Sequence, residues 1–156
     1  MKYMEGLEIR VVRNDDELRA VFRIREEVFI KGQGVERSIE MDKYDRQAEH
    51  VIVLMNGEPI GCARVRSVNR MAKLERIAIL EGHRGKHYGR ELVKFLIDHC
   101  VSMGVDGVFM NSQYYVRDYY RQFGFRQEGE PFMEAGIKHI RMVLMGREAG
   151  LQGVNA

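Results

Sequence analysis

The sequence predicts an α/β fold whose mixed sheet combines an antiparallel meander with later βαβ crossovers. Residues 74–97 change from strand-like to helix-like apolar spacing across a glycine-containing loop. Asn56-Gly57 lies between two apolar runs and is a strong signal for a two-residue hairpin. The elements read in the order β α β β β α β α β β, which is typical of a mixed sheet with helical connections.

Composition predicts an ordinary globular protein and excludes several classes. The chain has 156 residues and a formal net charge of +2, which is no signature of nucleic-acid binding. We find no apolar run long enough for a membrane span and no secretory h-region, so we expect a cytoplasmic protein with no membrane partner. We predict one domain over residues 1–146 and a flexible tail over 147–156. Cys62 and Cys100 are interpreted as reduced core residues.

The first half of the chain predicts a strand, a helix and a meander. Asn14 and Glu17 form a capping-box pattern, which starts a helix that Gly32 and Gly34 end. The predicted strands of this half are residues 7–12, 50–55, 59–68 and 74–80.

The second half predicts two helices among three further strands. A helix begins at Arg90 and ends near Gly104, and a short helix over residues 115–123 ends at Gly124. The predicted strands are residues 107–112, 125–127 and 138–145.

Residues 33–49 carry mixed charge without a clear period. Their acids are Glu36, Glu40, Asp42, Asp45 and Glu49. One interpretation is a solvated loop. The other is a loop or short helix beside an acceptor pocket, whose slight acidity would favour a cationic acceptor.

The loop between the strand at 74–80 and the following helix predicts an anion site. The first amides of a helix have no internal partner, and glycine allows the backbone to approach a ligand closely. The loop ends in no Gly-Lys-Ser/Thr and contains no Gly-x-Gly-x-x-Gly, so it is neither a P-loop nor a dinucleotide fingerprint.

Two motifs resemble the GCN5-related N-acetyltransferases, the GNAT superfamily. Residues 84–89, Arg-Gly-Lys-His-Tyr-Gly, resemble the Arg/Gln-x-x-Gly-x-Gly/Ala pyrophosphate loop, with His87 in place of its first glycine. Residues 116–125 resemble the signature in which an aromatic-Tyr pair precedes Gly-Phe. Residues 73–78 and 134–139 add a resemblance to the small YjcF and ElaA type.

The resemblance implies the GNAT acyl-CoA N-acyltransferase fold and acetyl-CoA as cosubstrate. In that family the loop amides hold the pyrophosphate, and a strand backbone holds pantetheine and polarises the thioester oxygen. Asn111 and Gln113 either bind CoA or acceptor or only end a strand. The implied cofactor-binding residues are Ile77, Ala78, Ile79, Arg84, Gly85, Lys86, His87, Tyr88, Gly89, Arg90 and Asn111.

The resemblance also implies transfer to a primary amine by direct attack in a ternary complex. Tyr120 stands at the general-acid position, and its alternative is a packing tyrosine. Glu75 and His139 are the two candidate bases. The alternatives are an ion pair of Glu75 with a nearby arginine and a satisfied strand histidine at His139.

Other functions remain open at this stage. His83 and His87 lie four residues apart in a loop rather than on a helix, so no metal site is expected. The acceptor is expected to be a small amine or a protein amino group, and a homodimer is an alternative to a monomer. Rival functions are an acyl-CoA sensor without turnover, a longer-chain acyltransferase and, more remotely, a nucleotide-phosphate binder.

Overall fold

The structure is a computed structural model and describes residues 4–146. The predicted tail at 147–156 lies outside these residues. The predicted order of strands and helices is confirmed, with one additional α-helix, Arg37–Glu40, between the first helix and the second strand. The described residues form two compact units, one from residues 4–65 and 76–93, the other from 66–75 and 94–146.

Seven strands form one mixed sheet with the order β1-β2-β3-β4-β5-β7-β6. Their bounds are β1 Leu7–Val11, β2 Glu49–Met55, β3 Glu58–Val68, β4 Met71–Ile79, β5 Gly107–Gln113, β6 Arg126–Glu134 and β7 Ile137–Met145. β4 and β5 are parallel, whereas β1–β2, β2–β3, β5–β7 and β6–β7 are antiparallel. The GNAT-type mixed sheet expected from the sequence is therefore confirmed.

The helices are α1 Asp15–Arg25, α2 Arg37–Glu40, α3 Tyr88–Ser102 and α4 Arg117–Arg121. None of the helices within residues 4–146 has the length and apolarity needed to cross a membrane.

The start of α1 shows the predicted cap with one difference. Asn14 Oδ1 accepts from the backbone N–H of Glu17, as an N-cap should. The carboxylate of Glu17 accepts from the N–H of Arg13 rather than from that of Asn14, and it also binds the Arg10 guanidinium. A π-helical turn, Glu26–Lys31, continues α1 up to Gly32, where the sequence predicted a regular helix.

The first unit buries apolar side chains between α1 and its strands. Its buried cluster contains Ala20, Val21, Ile24, Val28, Ile52, Leu54, Cys62 and Ala78. Gly61 of β3 has no room for a side chain, because an added Cβ would lie 2.6 Å from Ile79 Cδ1 and 2.8 Å from the Ala78 oxygen. This glycine therefore allows close approach to the end of β4.

The second unit is organised around β5, β7 and β6. The parallel pairing of β4 with β5 covers Met71 to Leu74 of β4. Ala135 and Gly136 join β6 to β7 with φ values of 52° and 76°, which are the values of a type I′ hairpin turn. The register of β6 shifts between Glu128 and Phe132, where Gly129 has a φ of +77°.

Candidate functional site

The backbone of β4 is left-handed at Arg76, with a φ of 57° inside a strand. A side chain at such a position costs about 1–2 kcal/mol, so it requires compensating contacts. Arg76 donates from Nη2 to the carbonyl oxygens of Ile39 and Glu40, each at 3.1 Å. Its Nε lies 2.9 Å from Oε2 of Glu40. These contacts hold the irregular point of the strand in place, directly before Ile77 to Ile79.

Arg76 belongs to a larger group of buried charges, here called the arginine network. Its members are Arg25, Glu40, Asp42, Asp45, Arg64 and Arg76. The side chains of Arg25 and Arg64 are completely buried. Arg25 Nε is 2.9 Å from Glu40 Oε2, and Arg64 Nη1 is 2.6 Å from Asp42 Oδ1. Charged groups tolerate such burial only when they are paired, and here each arginine meets at least one carboxylate.

The arginine network includes several of the acidic residues in the segment 33–49. Burial raises the pKa of Asp45, but hydrogen bonds from Arg25 and Arg64 outweigh it, so the net pKa lies below its usual value. Three of the five acids in this segment are thus neutralised by arginines. The solvated-loop interpretation is wrong for Glu40, Asp42 and Asp45, and their charge gives no support to a cationic acceptor.

His50 extends the arginine network at its edge. Its Nε2 lies 2.8 Å from the carbonyl oxygen of Asp45, so this nitrogen carries the proton. Burial lowers the pKa of His50 below its ordinary value. The ring is therefore neutral at pH 7 and closes the short helical segment Lys43–Arg46 onto β2.

The loop over residues 84–89, here called the anion loop, ends at the start of α3. Gly85 and His87 have φ values of 78° and 69°. The carbonyl of His87 accepts from the N–H of Glu91, which makes the amides of residues 88–90 the first of the helix. The loop is exposed from Arg84 to His87. His87 thus has the left-handed backbone that a glycine would adopt there.

The three cations of the anion loop region differ in their surroundings. Arg84 donates from Nε to the carbonyl oxygen of Ile79 at 2.8 Å, so this side chain closes the loop onto the end of β4. Lys86 and Arg90 are exposed. The exposed loop and its cations are suited to a polyanionic ligand.

Glu75 is placed in an ion-pair cluster within the second unit. Its Oε1 lies 2.7 Å from Arg66 Nε, and its Oε2 lies 3.0 Å from Lys73 Nζ. The side chain is 8% exposed. This is the ion-pair alternative from the sequence, and a carboxylate held by two cations is a weak base.

Four side chains of the second unit form what we call the hairpin cluster: Asn111, Phe132, Glu134 and His139. Phe132 and His139 are paired across β6 and β7, and their rings stack with centroids 6.0 Å apart. His139 Nε2 is 3.8 Å from Glu134 Oε2, and Asn111 Nδ2 donates to Glu134 Oε1 at 3.4 Å. Polar and titratable groups therefore converge beside the β6–β7 turn.

Tyr120 lies among aromatic side chains of α4 and the chain that follows it. Its ring meets those of Tyr119 and Phe125 edge-on, with centroids 5.3 Å and 6.2 Å apart. Burial raises the pKa of Tyr120 above its ordinary value of 10.0, with a smaller contribution from Tyr119. The phenol is therefore protonated at neutral pH, as a general acid must be.

The two cysteines are buried, and within residues 4–146 the histidines do not cluster with other potential metal ligands in groups of three or more. Cys62 and Cys100 are buried and neither forms a disulfide, as the sequence predicted. Burial raises the pKa of the Cys62 thiol to about 12, so it is not a thiolate at neutral pH. No group of three or more potential metal ligands occurs in the part of the chain between residues 4 and 146.

The predicted residues fall into both units. Ile77 to Ile79 and residues 84–90 belong to the first unit, while Glu75, Asn111, Tyr120 and His139 belong to the second. Sequence reasoning missed the position of Arg76 and the part that Glu134 takes beside His139. The -Glu-Ala-Gly-Ile-x-His- spacing at 134–139 contained a signal, because a two-residue turn sets the register of both side chains.

Comparisons with known proteins agree with the fold. A profile of the acetyltransferase (GNAT) domain family matches residues 12–145. The "Uncharacterized N-acetyltransferase YjcF" of Bacillus subtilis (strain 168) is 34% identical over 134 residues, covering 85% of this chain and 96% of the relative. The crystal structure of Escherichia coli ElaA superposes with a TM-score of 0.79 at 24% identity, covering 87% and 98% of the two chains.

A further solved structure of the same fold contains the expected donor. It is a GNAT family acetyltransferase from Elizabethkingia anophelis with acetyl-CoA bound, with a TM-score of 0.71 at 18% identity, covering 90% of this chain and 99% of that one. The fold and the matched family define an acyltransferase enzyme. This chain belongs to the GNAT acetyltransferase family.

Proposed function

We propose that this enzyme transfers an acetyl group from acetyl-CoA to a primary amine by direct attack in a ternary complex. The observation that carries the proposal is the anion loop, where left-handed Gly85 and His87 lead into the first turn of a fifteen-residue helix. Cations at a helix start oppose the helix dipole unless an anion binds between them. Acetyl-CoA supplies that anion and, as a thioester, an activated acetyl group.

The anion loop and the end of β4 would hold the donor. The amides of residues 85–90 would bind the pyrophosphate, and Lys86 and Arg90 would pair with phosphate oxygens. The N–H groups of Ile77, Ala78 and Ile79 would stabilise negative charge on the thioester oxygen. Asn111 is kept here as a proposed contact with CoA or with the acceptor. Only the backbone of 77–79 is assigned a role, and the arginine network fixes its direction at Arg76.

Proton transfer is proposed for two side chains of the second unit. His139 is the stronger candidate for the base, because Glu75 is held by Arg66 and Lys73 at hydrogen-bonding distance. Tyr120 would protonate the leaving thiolate. Its raised pKa keeps the phenol protonated before the reaction, and the thiolate that forms on acetyl transfer would be the proton acceptor.

The test is calorimetric titration with acetyl-CoA on wild type, on the Lys86→Ala/Arg90→Ala double variant and on His87→Gly. We expect wild-type dissociation constants of about 1–100 μM, in the range of ordinary enzyme substrates. Loss of two charge-assisted contacts should weaken binding at least about tenfold. Lys31→Ala, an exposed lysine paired with Glu27, serves as the charge control. His87→Gly should bind at least as well as wild type, because glycine adopts the same φ without a Cβ.

Amine-dependent release of free CoA thiol then tests turnover. Tight binding of acetyl-CoA with no turnover of any amine would favour a sensor. Faster turnover with longer acyl-CoA donors would favour a different acyltransferase. Absence of acetyl-CoA binding by wild type and by His87→Gly would overturn the proposal. Cytoplasmic location and a homodimer stay predictions.

A further inference from the structure

The position of the hydrogen on the neutral ring of His139 follows from a contact within its own strand. Its Nδ1 lies 2.7 Å from the carbonyl oxygen of Ile137, and a carbonyl only accepts, so Nδ1 carries a hydrogen. In the neutral ring Nε2 is then a hydrogen-bond acceptor. The side chain is only 9% exposed. Nε2 can therefore accept from a donor that reaches the hairpin cluster.

The group that faces this nitrogen is a carboxylate and not a donor. Glu134 Oε2 lies 3.8 Å from His139 Nε2, which is too far for a direct hydrogen bond. The other oxygen of Glu134 accepts from Asn111 Nδ2, which leaves Oε2 available towards the histidine. One small group with two N–H bonds, such as an ammonium, can donate to both acceptors, and its positive charge would also pair with the carboxylate.

The hairpin cluster is built to keep these acceptors together. The type I′ turn at Ala135-Gly136 sets the register in which Glu134 pairs with Ile137 and Phe132 pairs with His139. Because side chains two apart share a face, Glu134, Phe132 and His139 lie on the same face of the hairpin. Phe132 stacks on the imidazole and limits its rotation.

The two side chains of this pair differ in their exposure to solvent. The Glu134 side chain is 46% exposed, whereas that of His139 is nearly buried. A cationic ligand would therefore reach the carboxylate first and the imidazole second. A carboxylate outside and an imidazole nitrogen inside are suited to a molecule that arrives protonated and must lose a proton.

We propose that Glu134 and His139 form the binding site of the acceptor, and that they select a primary ammonium group. This inference rests on the proposed function. Glu134 binds the ammonium, and His139 Nε2 removes one of its protons and passes it to solvent. The lone pair thus released forms the C–N bond as the C–S bond breaks. A second nitrogen proton leaves as the amide forms, and the thiolate gains one proton from Tyr120, which recovers it from that nitrogen through water. The products are amide, free thiol and one proton in solution.

The specificity follows from the two acceptors. An alcohol has no charge for Glu134, and a quaternary ammonium has no N–H for His139. A primary amine satisfies both groups at once. The site therefore distinguishes n-butylammonium from n-butanol and from butyltrimethylammonium, although all three present the same alkyl chain.

The first experiment is an NMR titration of the imidazole nitrogens of His139 in full-length protein labelled with ¹⁵N-histidine. n-Butylammonium chloride should shift the Nε2 resonance saturably in wild type, and n-butanol and butyltrimethylammonium should not. Glu134→Gln should abolish the saturable shift. Glu130→Gln, which removes an exposed acid from the same strand, should leave it unchanged.

The second experiment is steady-state acetylation of n-butylamine. Glu134→Gln should raise KM for the amine at least about tenfold, as expected for loss of a charge-assisted contact, with little change in kcat. His139→Gln should lower kcat by about 100-fold or more, the usual contribution of a general base. Acetyl-CoA affinity should be unchanged in both variants.

The outcomes separate this inference from the proposed function. If wild type acetylates n-butylamine but Glu134→Gln and Glu130→Gln behave alike, the inference fails and the proposed function stands. If acetyl-CoA does not bind, the proposed function fails, while a saturable, Glu134-dependent shift would still support an ammonium site. If wild-type His139 shows no response to butylammonium, the acceptor site is not here.

Discussion

Arg76 and Glu40 lie 2.9 Å apart between Nε and Oε2, and Arg76 occupies the left-handed position of β4. This pair joins two features that are 36 residues apart in the sequence. Arg76 stabilises α2, and α2 in turn stabilises a backbone conformation that arginine would not adopt alone. The shape of the strand before Ile77 therefore depends on a side-chain contact.

Substitution of Arg76 should show both contributions. Arg76→Ala leaves a nearly buried Glu40 with fewer partners, and we expect a loss of about 3 kcal/mol in the free energy of unfolding. Arg76→Gly should be less destabilising by about 1 kcal/mol, because glycine accepts the positive φ. Urea denaturation measures both. Equal losses in the two variants would mean that the strand abandons its left-handed residue once the arginine is gone.

Stability should fall in two steps as the pH is lowered. The pKa of His50 is below its ordinary value of 6.5 in the folded protein, so the unfolded chain binds its proton more readily. Stability is therefore complete above about pH 6.5 and decreases as the pH falls towards the folded pKa. The lowered pKa values of Asp42 and Asp45 produce a second loss below their ordinary value of 3.8. The midpoint of urea denaturation, measured at several pH values between pH 8 and pH 3, would show both losses of stability.

His50→Gln provides the control for the first step. Glutamine retains an N–H donor for the Asp45 carbonyl but does not titrate in this range. The stability of this variant should no longer decrease as the pH falls below about 6.5, the ordinary pKa of histidine. The second loss of stability, below about pH 3.8, should remain. If the first step persists in His50→Gln, another group is responsible for it.

Glycine 85 should be needed for both folding and donor binding. Gly85 has a φ of +78°, so Gly85→Ala should cost about 1–2 kcal/mol even though its Cβ would meet no atom within 4 Å. Gly82 has equal space and no left-handed φ, and Gly82→Ala should be near neutral. The melting temperatures of Gly85→Ala, Gly82→Ala and wild type, measured with and without acetyl-CoA, give both the stability and the effect of donor binding. Similar acetyl-CoA shifts in Gly85→Ala and wild type would show that donor binding does not need the conformation of this loop.

Glu75→Gln should preserve most of the activity. The carboxylate is bound by Arg66 and Lys73, so we expect the variant to lose stability while kcat stays within about threefold of wild type, well short of the 10²-fold effect of removing a base. The measurement is kcat for n-butylamine acetylation together with urea denaturation. A hundredfold loss of kcat in a stably folded variant would restore Glu75 as the base.

Tyr120→Phe should lower kcat about 10²-fold, the usual contribution of a general acid, with no change in acetyl-CoA affinity. Because the pKa of Tyr120 is raised above 10.0, its phenol remains protonated throughout the accessible pH range. Wild-type kcat should consequently show no decrease from this group up to pH 10. A decrease centred near pH 8 that disappears in Tyr120→Phe would contradict the raised pKa.

Local signals in the sequence predicted most of the fold. Asn14 caps α1, Asn56-Gly57 turns β2 into β3, and the apolar face of α3 is buried as its spacing required. Each of these features depends on neighbours within a few residues. The positions of the strand ends were predicted less accurately. The strand predicted at residues 125–127 begins near that position, as β6, but continues to Glu134.

The ion pairs of the arginine network could not be predicted from the sequence, because they join residues that are far apart in the chain. The acids of residues 33–49 pair with arginines 15 to 36 positions away, and no local pattern distinguishes that outcome from a solvated loop. The ion pairs of Glu75 were foreseen as an alternative, yet only the structure decides between them and a free base. Glu134 was overlooked because its importance arises from the distance to His139.

The irregular stretch of β6 bears on how copies of this chain can associate. β6 is the last strand of the sheet, and between Glu128 and Phe132 its register shifts around Gly129 and Pro131. Proline lacks an N–H, and closely spaced glutamates repel a like-charged neighbour. A second molecule adding its own β6 here would face both obstacles. Strand-to-strand growth at this border is thus discouraged.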